Sequence, residues 1–250
     1  MKLLAWVLVV VGLLHARAAS ASSPCVQQGG MAPHAAVVLP PRPQLVAFDT
    51  RYLHGAKLVA RIGGKRVPIT TEEIKAEPFE LVRIQIESSA VGTLKIYRLM
   101  TDSSSRSKRA KEHLIGKYRI DAKAKLPEAL TATTRRMTVA FRHTTSREQY
   151  DALVLDLGEA APATLATVRL RRDDKAPWQT LAVPVLPGDL FDPHSVARLG
   201  ELGCGANFSV AALEQGVELE AEVALVDGTT RPLAVPRRLV LPPPTPEHDR

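Results

Sequence analysis

Aromatic residues make up only 4% of this 250-residue chain. It has two cysteines, Cys25 and Cys204, and a single asparagine, Asn207. Neither cysteine lies in a C-x-x-C pair, and neither has a clear cationic neighbour in sequence to lower its pKa, which excludes a local dithiol redox motif. No G-x-S-x-G, H-E-x-x-H, phosphate-cradling glycine loop or dinucleotide fingerprint is present. The common nucleophile, zinc and nucleotide motifs are therefore missing. After the first residues no apolar run is long enough to cross a bilayer as a helix. Proline, by contrast, is plentiful at 19 residues. It breaks helices and punctuates strands, which points to short extended elements.

What is present begins with a leader. Lys2 supplies a positive start, Leu3 to Leu14 is apolar, and two small-residue sites follow at Ala16-Arg17-Ala18 and Ala19-Ser20-Ala21. This is the pattern of a secretory signal peptide over residues 1–21, with the mature chain starting at Ala19 or Ser22 and an uncleaved anchor as the alternative. Such a chain is exported, periplasmic or extracellular. In an oxidising compartment two lone cysteines are expected to pair, as Cys25–Cys204. Two free thiols, or an intermolecular bond through Cys25, are the alternatives.

The rest of the chain reads as short strands. Residues 22–34 form a flexible lead-in. Strand patterns follow at 35–39, 44–49, 57–62, 65–70, 79–87, 93–100 and 114–122. Phe79 to Glu87 alternates, with Val82, Ile84 and Ile86 on one side and Arg83, Gln85 and Glu87 on the other, as a half-buried antiparallel strand requires. Gly63-Gly64 supplies the positive φ of a tight hairpin. Residues 126–134 read as a linker. A second series runs through 136–142, 152–157, 164–171, 178–186, 208–210, 217–226 and 229–235, with an Asp227-Gly228 turn near its end. Asp192-Pro193 is placed to start a short helix through Leu199. Residues 242–250 read as a Pro-rich disordered tail. The expectation is an all-β chain of two antiparallel β-sandwich domains, 35–125 and 135–241.

The hairpin Arg61-Ile62-Gly63-Gly64-Lys65-Arg66-Val67-Pro68, the closing strand near Tyr118, the stretch Cys204-Gly205-Ala206-Asn207-Phe208 and the Asp227-Gly228 turn resemble bacterial exported proteins with tandem Ig-like or fibronectin type III-like domains. The resemblance implies fold and envelope location. It brings no catalytic residues, because this architecture hosts many functions.

Side chains with chemistry are scattered. His34, His54, His113, His143 and His194 lie far apart and read as surface histidines. Glu218, Glu220 and Glu222 share one strand face, and a solvated outer face is the expected reading over a cation site. Asp173-Asp174 reads as a charged hairpin loop. Trp178 is expected in a sandwich core rather than on a ligand surface. No cofactor and no metal ligand set is indicated.

Charge is uneven. Through Lys125 there are 20 Lys and Arg against 9 Asp and Glu, and from Leu126 onward 13 against 17. The loop Thr101 to His113 concentrates Arg106, Lys108, Arg109 and Lys111, a candidate contact with an anionic envelope component. No aromatic residue interleaves with these charges, so nucleic acid is not favoured. The expected role is a non-catalytic binding or scaffolding protein at the cell envelope. The competing readings are an enzyme with a site between the domains, and a secretion or chaperone accessory that adds a client strand to a sheet edge.

Overall fold

The computed structural model describes residues 30–49, 57–76, 79–100, 111–142, 147–187, 194–200 and 216–240. Every regular element among the described residues is a strand. The first module runs β1 (Gly30–Ala32), β2 (Val38–Leu39), β3 (Gln44–Asp49), β4 (Lys57–Ile62), β5 (Lys65–Val67), β6 (Ile69–Ala76), β7 (Phe79–Ile86), β8 (Gly92–Met100) and β9 (Lys111–Ile120). Two sheets form, ordered β1-β3-β7-β6 and β2-β9-β8-β4-β5. Leu45, Ala47, Val82, Ile84 and Ile86 from the first meet Leu58, Ala60, Ile62, Leu94, Ile96 and Ile120 from the second in one core. The alternation read over Phe79 to Glu87 is thus borne out. Gly63 and Gly64 have φ of 55° and 85°, as the β4–β5 hairpin requires. Gly30–Ala32, expected in the lead-in, pairs with β3 and sends Met31 into the core.

The second module runs β10 (Leu130–Thr131), β11 (Thr133–Arg142), β12 (Arg147–Glu159), β13 (Ala163–Arg171), β14 (Gln179–Pro187), β15 (His194–Gly200), β16 (Val217–Leu225), β17 (Thr230–Ala234) and β18 (Arg238–Leu239). Two separate sheets were expected here. The strands instead make one continuous nine-stranded sheet, β10-β17-β16-β13-β14-β15-β12-β11, with β18 beside β16. It curls around a single core that includes Leu153, Leu155, Val168, Leu170, Val185, Leu199, Leu219 and Val223. Two junctions cause this. β14 pairs with β13 up to Pro184 and with β15 from Val185. At the other end, β10 pairs with β17 and β11 with β12, and only Ala132 separates β10 from β11. The two ends of the sheet are therefore one stretch of chain. Residues 126–134, expected as a linker, hold β10 and the start of β11.

The modules share one spatial order of strands, although the first two strands of each enter it in opposite chain order. Matching β1, β3, β7 and β6 to β11, β12, β15 and the second half of β14 leaves β2, β9, β8, β4 and β5 matched to β10, β17, β16, β13 and the first half of β14. The parallel pairs, β2–β9 and β10–β17, also correspond. In both modules the switch between sheets falls at a proline, within Val67-Pro68-Ile69 and Val183-Pro184-Val185. Proline has no N–H to donate to the ladder, so it leaves one ladder bond unmade at the point where the strand turns to a new partner.

The helix expected over 192–199 is corrected to a strand in its described part. His194–Gly200 pairs with β12 on one side and β14 on the other. Ser195, Val196, Ala197, Leu199 and Gly200 are all buried. Strand pairing on both sides overrides the local capping signal.

A third apolar cluster joins the modules. Ala32, Val46, Phe48 and Leu81 pack against Ala152, Leu165 and Leu186, with Ile74, Ala182 and Ala224 around them. β3 is consequently buried on both faces, Leu45 and Ala47 inward and Val46 and Phe48 toward the second module. The β16–β17 turn adds a plug: Val226 lies in the first module's core, and its carbonyl accepts a 2.6 Å bond from the Gln44 amide.

Candidate functional site: a basic sheet face

The outward positions of β5, β4, β8 and β9 fall into register. Arg66 lies opposite Arg61, Arg61 opposite Lys95, and Lys95 opposite Lys117. The local cause is simple alternation. Ala60 and Ile62, Leu94 and Ile96, and Tyr118 point into the core, so Arg61, Lys95 and Lys117 point out. Strands are about 4.8 Å apart, so four cations span roughly 14 Å in a line across the sheet. Like charges placed directly opposite one another are destabilising. Of the four, only Arg61 has an acidic partner among the described residues. Its Nη2 lies 2.7 Å from Glu112 Oε1, and that bond raises its pKa further above the usual guanidinium value. Arg119, one step along β9, pairs with Asp121 at 3.3 Å. Tyr97 lies beside the row, opposite Leu114 at a β-bulge.

The expected site residues are placed as follows. Lys111 opens β9 and is exposed. Arg106, Lys108, Arg109, Cys25, Cys204 and the stretch around Asn207 lie outside the described residues, as do His54, His143 and the 208–210 strand. His34 accepts a 3.2 Å bond from the Ala36 amide in a turn, and His113 is exposed on β9. His194 Nδ1 lies 2.9 and 3.0 Å from the two Asp156 carboxylate oxygens. No group of three metal-ligating side chains occurs among the described residues.

Ser195 follows His194 but does not complete a catalytic triad. Adjacent strand residues point to opposite faces, and the buried Ser195 hydroxyl donates to the Ala161 carbonyl at 3.5 Å. The other buried polar residue among the described residues, Thr164, donates to the Ala224 carbonyl at 3.2 Å. Both serve the backbone.

The second module's outer face is charge-matched. Arg169 pairs with Glu220 at 2.9 Å, and Arg171 Nε donates to Glu218 at 2.7 Å. The Arg171 bond holds the Glu218 carboxyl below its usual range. Those arginines occupy two of the three glutamates that a cation would need. Trp178 is corrected from the core to this outer face. It is half-buried, with the Arg169 and Arg171 guanidinium carbons 4.8 and 4.6 Å from its ring centre. Arginine stacking supplies the partial burial that a core would otherwise give. Beside it lies an open groove of about 650 Å³, lined in part by Thr167, Glu222, Pro232 and Arg237. The Asp173-Asp174 loop is as expected: Asp173 caps its own turn through the Lys175 and Ala176 amides, and Asp174 pairs with Arg171.

Sheet edges bear on strand addition. β2 pairs only with Arg119 and Ile120, so the preceding part of β9 has no strand on that side among the described residues. That part carries Lys111, Glu112, His113 and Lys117, and the edge strand β6 carries Glu72, Glu73 and Lys75. Charged edges resist pairing with another chain. The basic row itself escaped sequence reasoning because Arg61, Lys95 and Lys117 meet only through register. No protein-family profile and no curated protein sequence matches the chain.

Proposed function

We propose that the chain is an exported, non-catalytic binding or scaffolding protein of the cell envelope, built from two tandem Ig-like modules. The shared spatial order supports the Ig-like reading, since a four-strand run and a run that begins with a parallel pair recur in each module, as two sheets in the first and as two parts of one curled sheet in the second. The leader pattern over residues 1–21 supports export. The observation that carries the non-catalytic reading is the filled apolar contact between the modules. Phe48, Leu81, Leu165 and Leu186 meet where an inter-domain enzyme would hold a cleft with converging titratable groups. The charged strand edges argue against a strand-adding accessory.

The test is to express the full precursor, fractionate the cell, and use the exported form for capture from its own envelope fraction. The expected results are a mature mass starting at Ala19 or Ser22, the mass of a Cys25–Cys204 bond, and a retained envelope component. Retention of the uncleaved chain in the cytoplasm would overturn the reading.

A further inference from the structure

We infer that the outer face of β5-β4-β8-β9 docks on an anionic phospholipid surface. The inference rests on the binding role proposed above and names its partner. Three features converge on this one face. Arg66, Lys95 and Lys117 are aligned across the sheet and have no acidic partner among the described residues. Such an alignment lowers the stability of the free protein, and a bound array of negative charge removes the repulsion. The second feature is apolar. Leu114 is 46% exposed, and Val38, in register with Arg119 on the same face, is 42% exposed. Val91, at the entry to β8, is 57% exposed. Attachment at a bilayer surface strengthens with buried apolar area and with attraction between basic residues and anionic lipid. The third feature is shape. The row crosses an outer sheet face on which Arg66 and Lys117 are exposed and Arg61 and Lys95 half-buried, a face rather than a strand-wide slot. A single-stranded nucleic acid takes a basic groove with several stacking aromatics, and the aromatic residue beside this row is Tyr97.

The experiment uses the mature protein and vesicles of phosphatidylglycerol mixed with phosphatidylcholine, against vesicles of phosphatidylcholine alone. Wild type should sediment with the anionic vesicles at low salt and come off at about 0.5 M salt, where the Debye length is only a few ångströms. The double variant Lys95→Gln/Lys117→Gln should partition about thirtyfold more weakly, from roughly 1 kcal/mol per cation. Its melting temperature should equal or exceed that of wild type, because two like charges leave the row. An undiminished melting temperature separates a lost contact from a misfolded variant.

Wild-type binding to neutral vesicles as strongly as to anionic ones would overturn the inference. So would equal vesicle binding by wild type and variant, or capture by polygalacturonate or single-stranded DNA with anionic vesicles left free. Those outcomes leave capture of an envelope protein untouched, whereas cytoplasmic retention of the precursor fails the parent reading and leaves the vesicle result readable.

Discussion

Phe48 is the largest side chain in the apolar cluster between the modules. It is 6% exposed and belongs to the cluster shared with Ala152, Leu165 and Leu186. Its ring lies so close to Gly30 that a Cβ added there would sit 2.7 Å from the ring tip. Truncating such a ring to alanine costs about 3–5 kcal/mol, because transfer energy is lost and the cavity does not fully close. For a chain of this size that lowers the melting temperature by roughly 6–20 °C. Urea unfolding read by two probes separates local from shared effects. Trp178 is the only tryptophan after Trp6, so in a chain freed of residues 1–21 its fluorescence reports the second module, while circular dichroism reports both. Wild type is expected to give coincident transitions. Phe48→Ala should split them, with the dichroism change leading. A wild type with two separate transitions, or a Phe48→Ala shift below about 1 kcal/mol, would refute the idea that this contact makes one body of the two modules.

Other outcomes follow from single bonds. The buried Tyr118 hydroxyl donates to the Pro33 carbonyl at 3.0 Å, so Tyr118→Phe should cost about 1–3 kcal/mol in urea unfolding by leaving that carbonyl unpaired. Burial raises the Tyr118 pKa. The folded state therefore holds its proton longer than the unfolded chain, and stability should be level below about pH 10 and fall above it. Tyr118→Phe should lack that component of the alkaline loss. Glu218 has the opposite sign. Its lowered pKa comes first from the Arg171 bond, so its contribution is present above about pH 4.3 and fades as pH falls through the folded value. Arg171→Gln should move the Glu218 titration, followed by carboxyl-carbon NMR, back toward the ordinary glutamate range.

Much of the strand content was legible because it depends on neighbours in sequence. Val82, Ile84 and Ile86 announce a half-buried strand by alternation alone, and Gly63-Gly64 and Asp227-Gly228 mark hairpins. Gly228 has a φ of 82°, and Asp227 Oδ1 accepts from the Thr229 amide at 2.9 Å. What sequence reasoning missed depends on partners far along the chain. Leu165 and Ala197 are successive partners of β14, so its run of apolar residues hides a change of sheet at Pro184. The stretch on either side of Ala132 closes the second module, β10 pairing with a strand about 100 residues later and β11 with one about 25 residues later. Trp178 left the expected core because Arg169 and Arg171 stack on it. The basic row is three alternation patterns, each bland alone, brought into line by register.

Hydrogen exchange of the protein with and without phosphatidylglycerol vesicles tests the central claim most directly. β9 before Arg119 lacks a strand partner on its outer side among the described residues, so outward-facing amides there should exchange quickly in the free protein. Vesicles should slow exchange along Lys111 to Lys117 and at the Gly63-Gly64 hairpin, and leave the groove strands β13 and β17 unchanged. Slowing confined to Thr167–Arg171 and Pro232–Arg237, or none at all, would contradict the account.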